Sequence, residues 1–171
     1  MDESVQKYYD QLFERVQAML LNPSYPNGAQ LRLHIYQSGS WGKPTAWTVY
    51  TPADEQSLKV GRVQWRSKHD LKRMMQVTQP AQPTLVHTDA PLDGVAFDKL
   101  MKIGRKIRVP LFDVEMSMGF DGSHYAMVLP RPQASPIQSE IRLQWWGNGA
   151  SEWEPFTGWA LKLIDLCEGA F

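Results

Sequence analysis

Residues 112–129 read FDVEMSMGFDGSHYAMVL, and no other stretch of the chain restricts its fold so much. Phe112, Val114, Met116, Met118 and Phe120 alternate with Asp113, Glu115, Ser117 and Gly119, the period-2 pattern of a strand with one buried face. Asp121–Gly122 follows directly, and Tyr125, Met127 and Leu129 then alternate in turn. Asp-Gly suits a type I′ turn, whose two central residues need positive φ, so the pattern predicts a two-residue hairpin. In that register Phe120 faces Ser123, Met118 faces Tyr125, Met116 faces Met127 and Val114 faces Leu129. The last three pairs are apolar against apolar on one face. A slip of one residue would break all of them. Asp121, Ser123 and His124 are then turn and return-strand residues rather than a catalytic cluster. Adjacent strand residues point to opposite faces, so Ser123 and His124 diverge and cannot share a proton over about 3 Å.

The remaining elements follow from the same two periods. Val5, Tyr8, Tyr9, Leu12, Phe13, Val16, Met19 and Leu20 recur at spacings of three and four, which predicts an opening helix. NPSYPNG (22–28) stops it. Strands are expected over 31–36, 46–51 and 58–66. In the third, the apolar phase slips from Leu58 and Val60 to Val63 and Trp65, which predicts a bulge at Gly61–Arg62. SKHDLKRMMQV (67–77) reads as a short helix with Ser67 as N-cap, Asp70 three residues on, and Leu71, Met74 and Met75 inward. TLVHT (84–88) reads as a short strand and DAPLDG (89–94) as a turn. A helix over about 95–106 has Phe97, Leu100 and Met101 inside, with Gly104 weakening its end. A strand over 139–147 carries Ile141, Leu143 and Trp145 in phase. Pro155 opens a closing helix with Phe156, Trp159, Leu163 and Leu166 as its inner stripe.

This pattern predicts one α+β domain over 1–171, with a mainly antiparallel sheet of about six strands in two three-stranded units and four helices packed against it. Two α-βββ-α halves, 1–77 and 94–171, would be its subdivisions. A chain of 171 residues can bury a core of that size without staples. Lys plus Arg and Asp plus Glu balance at 18 each, which argues against chain-wide attraction to nucleic acid or anionic lipid. One Cys, Cys167, allows no disulfide within the chain and points to a reducing compartment. The N-terminus lacks a basic and apolar leader pattern, and no run is long enough to span a bilayer. The expected location is the cytoplasm, with no membrane association.

Candidate chemistry is sparse. The sequence contains no HExxH, no thiolate zinc framework and no glycine-rich nucleotide fingerprint, so neither a metal nor a cofactor is expected. His87 and Asp89 could supply an acid–base pair or two ligands, but a strand end followed by a turn accounts for both. Cys167 beside Leu166 reads as a buried, inert thiol. Lys99, Lys102 and Lys106 fall on one helical face within KLMKIGRKIR (99–108) and could grip phosphates or an acidic partner; a solvated face whose cations favour the helix C-terminus is the preferred explanation, since no aromatic platform is interleaved. Trp146 must face away from Trp145, either as packing or as an exposed binding anchor. Trp41, on a glycine-flanked loop, offers the same choice.

From Phe120 onward, FDGSHYAMVL, IRLQWWG and EWEPFTGWALKLIDL form a turn, a Trp-ended strand and a Trp-anchored closing helix. This part resembles small bacterial proteins, some of them similar to immunity proteins that neutralise a toxin by binding it. The resemblance covers the last 52 residues and assigns no site residue. The expected function is accordingly non-catalytic protein binding, of the immunity-inhibitor type, with a protein partner and nucleic acid disfavoured. Two alternatives stand: a small-ligand-binding protein or enzyme whose site is assembled from dispersed residues, and a nucleic-acid-binding module using the 99–108 segment.

Overall fold

A computed structural model describes residues 3–39, 43–74, 82–109, 123–130, 140–147 and 151–171. The order is α1 (Glu3–Leu20), β1 (Gln30–Gly39), β2 (Thr45–Thr51), β3 (Lys59–Trp65), α2 (Ser67–Met74), β4 (Leu85–Pro91), α3 (Gly94–Gly104), β5 (Ser123–Pro130), β6 (Glu140–Trp146) and α4 (Glu154–Glu168). The fold is α+β. Among the described residues, six strands form one antiparallel sheet in the order β4-β3-β2-β1-β5-β6. The expected two units are therefore one sheet, joined where β1 pairs with β5. The first half of the expected hairpin, 112–122, lies outside the described residues. Its return strand is β5, but Met127 lies between Ile35 and Leu143, and Tyr125 between Gln37 and Trp145. Both edges of β5 are taken, one by β1 and the other by β6, so the turn-based register is not the pairing of Tyr125 and Met127.

Helices cover both faces of the sheet. On one face, α3 and α4 close over Leu33, Ile35, Trp47, Val49, Val60, Tyr125, Met127 and Trp145. On the other, α1 lays Leu12, Val16 and Leu20 on Tyr36, Ala46, Val63, Trp65 and Ala126. This double coverage corrects the predicted bulge. β3 pairs in unbroken register with β2 from Lys59 to Gln64 and with β4 from Lys59 to Trp65. Val60 serves the α3–α4 core while Val63 and Trp65 serve the α1 core, so apolar side chains change phase without an inserted residue. The turn expected over 89–94 is also corrected. β4 continues through Asp89 and Ala90 to Pro91, and Asp93 caps α3 by accepting from the N–H groups of Val95 and Ala96. Proline is tolerated at the end of an edge strand.

Three contacts anchor the helices. The Trp159 indole lies over Gly104 and its Nε1 donates to the Leu100 carbonyl at 2.8 Å, docking α4 on α3. Glu168 accepts from Trp47 Nε1 and Arg62 Nη1, each at 2.9 Å, and the Arg62 guanidinium sits 4.1 Å from the Phe171 ring centre. Asp70 is fully buried; rather than bonding Ser67, it accepts from Trp65 Nε1, Thr84 N–H and the Thr84 hydroxyl at 2.6–2.7 Å. It ties α2 to β3 and to the residues leading into β4. Burial alone would raise its pKa, but the bonds from Thr84, Trp65 and His69 outweigh that and hold it below the usual carboxylate value. Among the described residues, no helix is long and apolar enough to cross a membrane.

Candidate functional site

The segment after α1 is rich in proline and asparagine and cannot continue the helix. It lifts away from the sheet and returns at Gly28, whose φ of +81° needs a glycine. Beneath it lies a groove of about 680 Å³ on the α1 face of the sheet. Its floor is His34, Ala46, Thr48, Val63, Leu85 and His87, drawn from β1 to β4. Its walls are Met19 and Leu20 at the end of α1 and the 22–29 segment, with Tyr25 between Pro23 and Pro26. No Asp, Glu, Lys or Arg is among these lining residues.

His34 and Thr48 are the most buried polar groups there, each at 1% exposure. His34 Nε2 lies 2.8 Å from the Leu20 carbonyl, an acceptor only, so Nε2 carries the proton. Its Nδ1 then accepts from the Thr48 hydroxyl at 2.9 Å. The imidazole satisfies a carbonyl that the end of α1 leaves without an intrahelical partner. Burial lowers its pKa from 6.5 to about 4, with the Leu20 bond opposing the shift. His34 is therefore neutral at pH 7 and committed to structure. His87, by contrast, is exposed at the groove's edge on β4.

Asp89 lies two residues beyond His87 on the same face of β4. It is exposed, and its Oδ1 accepts from the Tyr50 hydroxyl at 2.8 Å. The sequence already singled out His87 and Asp89 as one alternative. It offered no signal for His34, Thr48 or the 22–29 wall, because that wall meets the sheet only in the tertiary fold.

The other candidates are scattered. Trp41 lies outside the described residues. Trp146 is on the α1 side of the sheet at its far edge, 38% exposed, and stacks on His124 at 6.2 Å between ring centres. His124 Nδ1 lies 3.2 Å from Gln17 Nε2 on α1, and the ring meets the edge of buried Tyr36. Burial lowers the His124 pKa, with a Gln144 hydrogen bond opposing. Lys99, Lys102 and Lys106 are exposed on the α3–α4 side, remote from the groove. Only Lys99 and Lys102 share a helical face. α3 ends at Gly104, and Lys106 lies in the turn beyond it, correcting the expected run to 106. Cys167 is buried against α3 and the sheet, and burial, with Glu168 adding, pushes its thiol up to about 12. Among the described residues, no group of three or more His, Cys, Asp or Glu is placed to hold a metal ion.

No protein-family model, curated protein or solved structure matches this chain.

Proposed function

We propose that this is a binding protein and that the groove beneath the 22–29 segment takes a small neutral ligand. The lining carries the reading. It has the volume of a small-molecule site, mixes apolar walls with hydrogen-bonding groups, and contains no Asp, Glu, Lys or Arg among its lining residues. Binding a phosphate or carboxylate in such a site would leave the anion without a cation. His34 and Thr48 are occupied by each other and by Leu20, so the groove offers recognition rather than a nucleophile with its base. A cytoplasmic location belongs to this reading, supported by the single, buried thiol.

A protein partner is the second reading, favoured by Trp146, an aromatic still 38% exposed on the edge strand β6. The immunity-type resemblance of residues 120–171 supports the same reading.

The test is amide NMR of the intact chain against a set of neutral fragments, with two variants. Fragments should shift Tyr25, Thr48 and His87. His87→Ala should weaken those shifts and Trp146→Ala should leave them unchanged. If no fragment perturbs the groove at millimolar concentration, while Trp146→Ala abolishes capture of one stoichiometric protein partner, the groove reading fails and the partner reading replaces it.

A further inference from the structure

Two residues beyond His87 on β4, just past the residues that line the groove, stands a carboxylate that a buried hydroxyl holds in place. Gly61 stands opposite Asp89 in the β3–β4 register. With no side chain at Gly61, the Asp89 carboxylate can lean over that strand; a Cβ there would lie 2.9 Å from Asp89 Oδ1. In this position Oδ1 accepts from the Tyr50 hydroxyl. Tyr50 is 3% exposed, and burial, with Asp89 adding, raises its pKa to about 12. The phenol therefore keeps its proton at neutral pH and always donates. Oδ2 has no hydrogen-bond partner among the described residues, and the carboxylate is exposed.

Resting on the groove reading above, we propose that the ligand carries a vicinal diol, read by Asp89 Oδ2 and the His87 ring. A carboxylate only accepts, so it selects donors, and hydroxyls are neutral donors that suit an otherwise uncharged groove. Imidazole can accept from one hydroxyl or donate to it, and it stands on the same face of the same strand. Bonds from hydroxyls to an ionised carboxylate are charge-assisted and stronger than neutral ones. The flat surfaces of Tyr25, Pro23 and Pro26 in the groove lining suit the apolar face of a sugar ring or a base. Phosphorylated forms are disfavoured twice, by repulsion from Asp89 and by the lack of a lining cation. Free sugars and nucleosides share this chemistry, and the probes separate them.

Calorimetry and amide NMR would compare ribose, adenosine, 2′-deoxyadenosine and adenosine 5′-monophosphate on the intact protein. Adenosine should bind about tenfold or more tightly than its 2′-deoxy and 5′-phosphate forms, the size of effect expected when a charge-assisted hydrogen bond is lost. Asp89→Ala should remove the preference for the diol while leaving the fold, checked by its NMR spectrum, intact. Tyr50→Phe, which frees the carboxylate to move, should reduce the preference without abolishing it. Binding by both ribose and adenosine identifies the sugar as the recognised unit; binding by adenosine alone identifies a nucleoside. Equal affinity for adenosine and 2′-deoxyadenosine overturns the proposal, as does a preference that survives Asp89→Ala. If none of the four probes shifts His87 or Asp89, the diol is also overturned, whereas neutral fragments that still shift the groove would leave the broader reading standing.

Discussion

Gly104→Ala and Gly158→Ala are the same substitution in two helices, and the structure assigns them opposite signs. Replacing an interior helical Gly by Ala ordinarily stabilises by about 0.5–1 kcal/mol, because Gly loses more backbone freedom on folding. Gly158, in α4, has nothing within 4 Å of where its Cβ would sit, so it should show that gain. Gly104, at the end of α3, is covered by the Trp159 indole. An added Cβ would lie 2.5 Å from Cε2 and 3.0 Å from Cη2 of that ring, where carbon contacts need about 3.5–4.0 Å. The ring must retreat by about 1 Å. It is 5% exposed, packs on Phe156 with centres 5.7 Å apart, and holds the Leu100 carbonyl through Nε1. Overpacking of this kind costs about 1–3 kcal/mol, and a lost indole bond adds about 1 kcal/mol. Set against a propensity gain of at most about 1 kcal/mol, the net is a loss of about 1–3 kcal/mol. Urea unfolding followed by tryptophan fluorescence and far-UV circular dichroism measures both variants. Gly104→Ala should lower the midpoint at unchanged m, and Gly158→Ala should raise it. A Gly104→Ala protein as stable as the parent would refute the α3–α4 docking described here.

His34 makes stability depend on pH. Its folded pKa, about 4, lies below its unfolded value of 6.5, so the unfolded chain binds the extra proton between them. Its contribution, about 3 kcal/mol at most, is fully present above pH 6.5 and lost as pH falls to about 4. His124, lowered by burial, acts with the same sign. Unfolding free energies across pH 4–7 should fall toward acid, and His34→Gln should flatten the curve even where it lowers the plateau. Asp70 acts in a different window. Its lowered pKa gives stability that is present above 3.8 and lost as pH falls through the folded value. Asp70→Ala strands the donors of Trp65 and Thr84 and should cost about 2–4 kcal/mol, read by urea midpoint. Cys167 should react with a thiol reagent only at the rate of unfolding; rapid labelling of the native chain would contradict its burial.

The sequence by itself determined which segments become helix or strand wherever one face of an element meets one core. The α4 stripe of Phe156, Trp159 and Leu163 is buried as its 3.6-residue period requires, and Trp145 and Trp146 separate to opposite faces as a strand requires. These are properties of a few consecutive residues, so local pattern suffices. The tertiary structure alone decided who pairs with whom. Met127 meets Ile35 across about 90 residues of chain, a choice made by shared burial beneath α4 that no turn signal encodes. It also decided the phase of β3, because period-2 reasoning assumes one core and this sheet has two. Gly61 and Gly104 show the same limit. One read as a bulge and the other as a weak helix end, yet each is a space that another side chain, Asp89 or Trp159, occupies. The groove belongs to this second class. His34, Thr48 and His87 are 53 residues apart at the extremes, and only the folding of the 22–29 segment over the sheet makes them neighbours of one cavity.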